Sequence, residues 1–221
     1  MTLTRDVVVP GVLTEYGSFA QLIRGLSADE WRAPSRCEGW LVADVAAHVV
    51  GQLTDVVNLR LEGAGTPEVT KRQADERRGR SPVELADELS SSLEVADALI
   101  SAFDDDAWEG AAPPGAGGTL GFGVEALWFD TFLHASDIRS ALGDRRLEGA
   151  GLRPSLSHIS QVLTDQGYPP AQLSLTGFET FPISGGHGQA IRGDASQFVL
   201  ASTGRGDPSM LGLDEAINIY R

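Results

Sequence analysis

A chain of 221 residues with 31 acidic and 17 basic side chains carries a formal charge of −14. That excludes nucleic-acid binding, which needs a basic surface whose counterion release drives association, and it disfavours docking on an anionic membrane. Hydrophobic residues at 42% and charged residues at 22% give a chain able to build a core rather than a disordered one.

Val12, Tyr16, Phe19, Leu22, Ile23 and Leu26 recur at helical spacing and predict a first amphipathic helix over 12–26. Ser27 caps a short turn carrying Trp31, and 32–39, with Pro34, Ser35 and Gly39, is a connector. A second helix runs from Trp40 to about Glu62, with Val42, Val45, Val49, Leu53 and Val56 in one stripe. The polar stretch 63–80 reads as a loop or a frayed helical piece. Ser81-Pro82-Val83-Glu84 combines an N-cap, a proline at the first helical position and a capping-box glutamate. The third helix follows through Leu85, Leu89, Leu93, Ala96 and Ile100 to Phe103, stopping before Asp104–Asp106. Residues 113–118 form a Pro/Gly break, after which Thr119 caps a fourth helix through Leu127, Phe132, Ile138 and Leu142 to Gly143.

Beyond Gly149 the pattern and the charge both change, from 13 basic against 25 acidic residues to 4 against 6. Pro154 opens a short helix to Thr164. Strands are expected at 172–176, 180–183 and 189–192, a helix capped by Asp194 up to Gly204, and a last strand over 215–220. The predicted fold is mainly α: a four-helix bundle over 1–149 followed by a small α+β domain over 150–221. No leader-like segment opens the sequence and no apolar run approaches the ~18 residues of a spanning helix, so a cytoplasmic setting is expected. Lys71 is the only lysine, a bias that, with the abundant Ala and Gly, suggests GC-rich coding DNA of actinobacterial type.

Cys37 is the only cysteine, which leaves no intramolecular disulfide and no Cys-based zinc site. His48 lies in the second helix, one turn after Asp44 and one before Gln52. In the fourth helix Asp130, His134 and Asp137, spaced four and three apart, share a face with Leu127 and Ile138 that should point inward. A carboxylate and an imidazole one turn apart, joined by an imidazole from another helix, make the three-ligand pattern of a catalytic metal site with an open position. Zinc, nickel, iron or manganese would accept it, and Asp137 or Asp44 would orient a ring nitrogen from behind. The same spacing also describes an ordinary helical hydrogen bond or a satisfied core histidine, and on spacing alone that is the commoner case.

Other candidates have plainer readings. Cys37 reads as a small buried thiol rather than a nucleophile. Arg60, Lys71, Arg72, Arg77, Arg78 and Arg80 either receive an anion or, more commonly, form a solvated face paired with Asp75 and Glu76. Arg139 and Arg205 either bind a carboxylate or make structural ion pairs. His158 and His187, in turn-rich sequence, read as exposed. Trp40 and Trp128 read as core or pocket-wall aromatics.

The stretch from Trp31 through Pro34, Cys37, Gly39-Trp40 and Asp44-Val45 to Ala47-His48 resembles the signature of the mycothiol-dependent maleylpyruvate isomerase family, within the DinB/YfiT-like superfamily. A second match runs His134-Ala135-Ser136-Asp137-Ile138-Arg139 to Leu142-Gly143. A third, Ile191-Arg192-Gly193-Asp194 with Phe198-Val199-Leu200 and Gly204-Arg205, is similar to the family's small C-terminal domain. The resemblance implies a bundle holding one divalent metal, usually zinc, with His48 and His134 as its histidines. Asp130 falls where the family commonly has glutamate, a side chain one methylene longer. It further implies a low-molecular-weight thiol, mycothiol or similar, activated by the metal to attack a small electrophile. A non-catalytic ligand binder on the same bundle, or a hydrolase using metal-bound water, remain the alternatives.

Overall fold

In the computed structural model, which describes residues 3–113 and 118–220, helix α1 spans Arg5–Arg24 and begins well ahead of Val12. The buried Val8 extends the stripe of Val12, Tyr16, Phe19 and Ile23 by one turn. This burial offsets the backbone bond that Pro10 forfeits inside the helix. A single turn, α2 (Ala28–Trp31), is closed by a Ser27/Glu30 capping box and buries Trp31. Helix α3 (Val42–Val57) stops short of Glu62, and Leu59 turns the chain with a left-handed φ of 56°.

The stretch expected as loop or frayed helix contains a well-started one, α4 (Pro67–Asp75). The Thr66 hydroxyl accepts from the Val69 N–H and Pro67 occupies the first turn, the same device that opens α5 (Pro82–Ser101) after Ser81. The acidic triplet is also not a simple stop, because Asp104 caps a short α6 (Asp105–Glu109). Thr119 caps the long α7 (Leu120–Ala141) as expected. The Pro/Gly break before it falls largely outside the described residues.

Helices α1, α3, α5 and α7 form the four-helix bundle: α1 packs on α5 and α7, α3 packs on the same two, and α4 lies against α3. Tyr16, Phe19, Leu53, Leu85, Leu89, Phe132 and Leu133 are among its fully buried side chains, each contributing about 1.5–3 kcal/mol for an aliphatic or Phe side chain. Because α3 and α7 are neighbours, residues on their facing surfaces can meet. At Gly11 in α1 an added Cβ would sit 2.0 Å from a ring carbon of Trp128 in α7. Gly11→Ala should therefore destabilise the bundle by about 1–3 kcal/mol through overpacking. Chemical denaturation should record a lower midpoint with an unchanged slope. A gain in stability, as alanine gives in an open helix, would refute the close approach.

Two compact units divide the chain, Thr4–Arg146 and Leu147–Arg221, the latter together with the first three residues. The second unit contains α8 (Leu152–Asp165), strands β1 (Ala171–Leu175), β2 (Phe181–Ile183) and β3 (Gln189–Gly193), and α9 (Ala195–Ser202) capped by Asp194. The sheet order is β2-β1-β3. Strand β1 pairs antiparallel with β2, Leu173 opposite Phe181, and parallel with β3, Leu173 opposite Ile191. Helix α8 packs on β2 and α9.

Two expectations fail in this unit. The last strand is absent: Asp214 caps a single 3-10 turn at Glu215–Ile217, and the alternation that suggested a strand comes from Ile217 and Ile219, both buried. His158 is not exposed but 8% accessible, because it lies within a helix buried nearly all round from Pro154 to Ser160. No helix among the described residues is long and apolar enough to cross a membrane.

Candidate metal centre

The inward faces of α3 and α7 bring His48, Asp130 and His134 together, with one ligand atom of each within 4.8 Å of the others. His48 Nε2 lies 3.4 Å from Asp130 Oδ2 and His134 Nε2 lies 3.5 Å from Asp130 Oδ1. A tetrahedral ion with bonds of about 2.0–2.1 Å needs its ligand atoms roughly 3.3–3.4 Å apart; each imidazole stands near that spacing from its own Asp130 oxygen, and the donor set, two imidazoles and a carboxylate, is of the kind that takes a divalent metal. The shorter aspartate reaches both rings. The rings meet edge to face, 5.1 Å between centroids at 90°, and Trp40 packs edge-on against His48, which places this tryptophan in the wall of the site.

Each member is held from behind. Gln52, one turn beyond His48, donates to Asp130 Oδ2 at 3.1 Å, and the Tyr16 hydroxyl from α1 donates to Gln52 Oε1 at 3.0 Å. Burial keeps that phenol protonated well above its ordinary range, with the Asp130 charge acting in the same direction and a Thr131 hydrogen bond against both. His134 Nδ1 donates to Asp137 Oδ2 at 2.8 Å. Asp137, fully buried, is paired with Arg36 and lies 3.2 Å from Cys37 Sγ. His48 Nδ1 meets Gln73 Oε1 of α4 at 2.8 Å, a partner that the sequence did not suggest. Asp44, expected behind His48, instead accepts from the Leu41 N–H at 2.9 Å, because at the first turn of α3 the open backbone donors attract a carboxylate.

Electrostatics favours a cation here. Burial alone would pull the His134 imidazolium down, yet Asp130, the hydrogen bond to Asp137 and Cys37 together push its pKa up to about 10. Carboxylates on both sides of a ring in a low-dielectric setting attract a positive charge, which either a proton or a metal ion supplies.

A cavity of about 170 Å³ opens beside the ring of His134, lined by Cys37, Glu38, Trp40 and Thr70 as well. Cys37 is thus half-exposed, not the buried thiol expected. A larger groove of about 450 Å³, between α1 and α5, shares no lining residue with the metal cluster.

The remaining candidates lie elsewhere. The charge of Arg139 acts on Glu15, which burial raises above the usual carboxylate range against the Trp128 hydrogen bond, and on Asp144. Trp128 packs over Gly11. Arg205 belongs to the second unit and donates to the Thr203 carbonyl at 2.9 Å. The basic cluster is built into ion pairs, with Lys71 and Arg78 on Asp75, Arg72 on Glu76 and Arg80 on Glu88. Within it, however, Arg77 is buried against Glu88, and Arg60 and Arg72 reach inward to Asp55.

The family model of the mycothiol maleylpyruvate isomerase N-terminal domain matches residues 12–139. Among solved structures the chain is similar to the crystal structure of the mycothiol-dependent maleylpyruvate isomerase, at 21% identity and a TM-score of 0.67 with 96% of each chain covered. It is also similar to a histidine-to-alanine mutant of that enzyme, at 20% identity and a TM-score of 0.65 with 96% of each chain covered. At such identities these two likenesses speak for the fold. No curated protein matches the sequence significantly.

Proposed function

Because the chain belongs to the mycothiol maleylpyruvate isomerase N-terminal domain family, an enzyme family, we propose that it is a metal-dependent isomerase or S-transferase using mycothiol or a similar thiol. The observation that carries this reading is the convergence of His48, Asp130 and His134 beside a cavity that already has His134 in its wall. His48, Asp130 and His134 would hold a divalent ion, zinc being the best match to a His₂-carboxylate set, and it would supply a Lewis acid favouring the thiolate form of a bound thiol at neutral pH.

The protein's own residues do the rest. Asp137 holds the Nδ1–H of His134, so that Nε2 is the nitrogen turned to Asp130. Gln52 and Tyr16 hold Asp130 from the far side of the bundle. Trp40 and Thr70 wall the cavity where the reacting ends of thiol and electrophile would meet, and Trp40 shields the His48 ring from water. At about 170 Å³ this space suits the reacting end of a ligand more than a whole one, compared with the roughly 300–1,000 Å³ of typical ligand pockets.

The test is turnover of maleylpyruvate and of a panel of small electrophiles with mycothiol present, omitted, or present after chelation. Activity that requires both thiol and metal is expected. Thiol-independent hydrolysis would replace this reading with bound-water chemistry, and metal-independent turnover would remove the metal from it.

A further inference from the structure

Behind His48 lies a buried polar chain that no part of the proposed reaction has yet used. Gln73 Oε1 is 2.8 Å from His48 Nδ1, and Gln73 Nε2 is 2.7 Å from Asp55 Oδ2. Both side chains are buried, with residue accessibilities of 4% and 3%. Arg72 lies 2.6 Å from Asp55 Oδ2 and Arg60 lies 2.6 Å from Oδ1. Guanidinium groups only donate hydrogen bonds, so Asp55 acts here as an acceptor.

We infer that Asp55 and Gln73 are positioning residues that fix the tautomer and the aim of His48, so that a bare Nε2 faces the metal position; the inference rests on His48 being a ligand. Asp55 Oδ2 accepts from Arg72 and from the Gln73 amide. Gln73 must therefore turn its NH₂ to Asp55, which leaves its carbonyl oxygen facing His48. That oxygen also only accepts, so Nδ1 carries the hydrogen. With the hydrogen held on Nδ1, Nε2 is the nitrogen left to serve a metal, on the Asp130 side of the ring. The direction is thus set by Asp55, two hydrogen bonds away from the His48 ring. Asp137 does the same for His134 in one step.

The local cause is a close approach of two helices. A Cβ at Gly51 would lie 2.6 Å from Gln73 Cβ and 2.8 Å from Arg77 Nη1, so the glycine admits α4 onto α3. Arg77 then donates to the Gln73 carbonyl and to Glu88 of α5, locking α4 in register. The inward half of the basic cluster thereby gains a purpose, because Arg60 and Arg72 keep Asp55 an obligate acceptor.

The experiment uses ¹⁵N-histidine-labelled protein, metal-free, with the His48 ring tautomer read from its nitrogen shifts, and zinc affinity measured separately by competition with a chromophoric chelator. In the wild type Nδ1 should carry its hydrogen in every populated form of the ring, whether or not Nε2, which faces Asp130, is protonated as well. Asp55→Asn, which can donate as well as accept, frees the Gln73 amide to turn over. His48 should then populate both tautomers, and zinc affinity should fall about 10–100-fold. In the double variant Asp55→Asn/Gln73→Glu the introduced glutamate accepts from both neighbours, which should restore the Nδ1–H form and most of the affinity. A purely structural role would not produce that rescue.

A single Nδ1–H form with wild-type affinity in Asp55→Asn would overturn the inference. If that variant does not fold, Gln73→Leu, which leaves Asp55 with its arginines, gives the same two readings. Wild-type protein that binds no zinc yet retains the lock would defeat the metal reading while leaving the tautomer result intact.

Discussion

Replacing His134 or His48 by alanine should remove the bound ion and lower thiol-dependent kcat/KM by more than about 100-fold, since even partners behind metal ligands cost roughly 10–100-fold when lost. Each substitution deletes one corner of a three-residue set drawn from α3 and α7. Neither places a new charge in the core. Losing His134 also strips Asp137 of one partner, but its pair with Arg36 remains, so the bundle should stay folded. The measurement is metal per protein after gel filtration, alongside kcat/KM at saturating thiol. A variant that keeps stoichiometric metal and wild-type turnover would place the metal centre elsewhere.

The second large effect is on pH. In metal-free protein the pKa of His134 stands at about 10 against an ordinary 6.5, because Asp130, Asp137 and Cys37 outweigh the opposing effect of burial. A histidine raised in the folded state stabilises the fold only while it is protonated there. Its contribution is fully present below the unfolded value, about 6.5, and is lost as pH rises through about 10. The melting temperature of chelator-treated protein should accordingly fall across that window. The ion replaces the proton, so zinc-loaded protein should keep a flatter profile, and zinc should bind more tightly as pH rises. Melting curves from about pH 6 to 10, with chelator and with zinc, decide the matter. Identical slopes in the two series would show that the ion does not take the position of the His134 proton.

How far the sequence could be read depended on the range of each interaction. Asp130, His134 and Asp137 sit on one helix, where spacings of four and three translate directly into a shared face, so their convergence was legible. His48 joined them as an imidazole from another helix of the expected bundle, a pairing that the resemblance strengthened, since nothing local says that α3 and α7 are neighbours. Gln73 was not legible at all. It lies on a short, polar helix whose hydrophobic pattern is too thin to announce it, although Thr66-Pro67 is the same start signal as Ser81-Pro82. Its contact with His48 depends on a glycine in another helix. Asp44 misled for the opposite reason, because one-turn spacing from His48 is compatible with two partners and the open backbone at the helix start took the carboxylate. At the C-terminus, Ile217 and Ile219 carry the period of a strand, but Asp214 closes a turn there instead. His158 shows that turn-forming neighbours in a sequence do not determine exposure.

Helix α1 carries no member of the cluster, yet it reaches α7 directly, through Trp128 over Gly11, and Asp130 indirectly, from Tyr16 through Gln52 of α3. On the proposed metal reading, metal occupancy and bundle stability would be linked functions, each a reservoir for the other. An ion bound at a thousandfold excess over its dissociation constant adds about 4 kcal/mol to the folded state. Reciprocity requires that whatever loosens α1 raises that constant. Sequence drift in a helix remote from the chemistry would then be felt first as a change in the metal concentration at which the protein stays loaded.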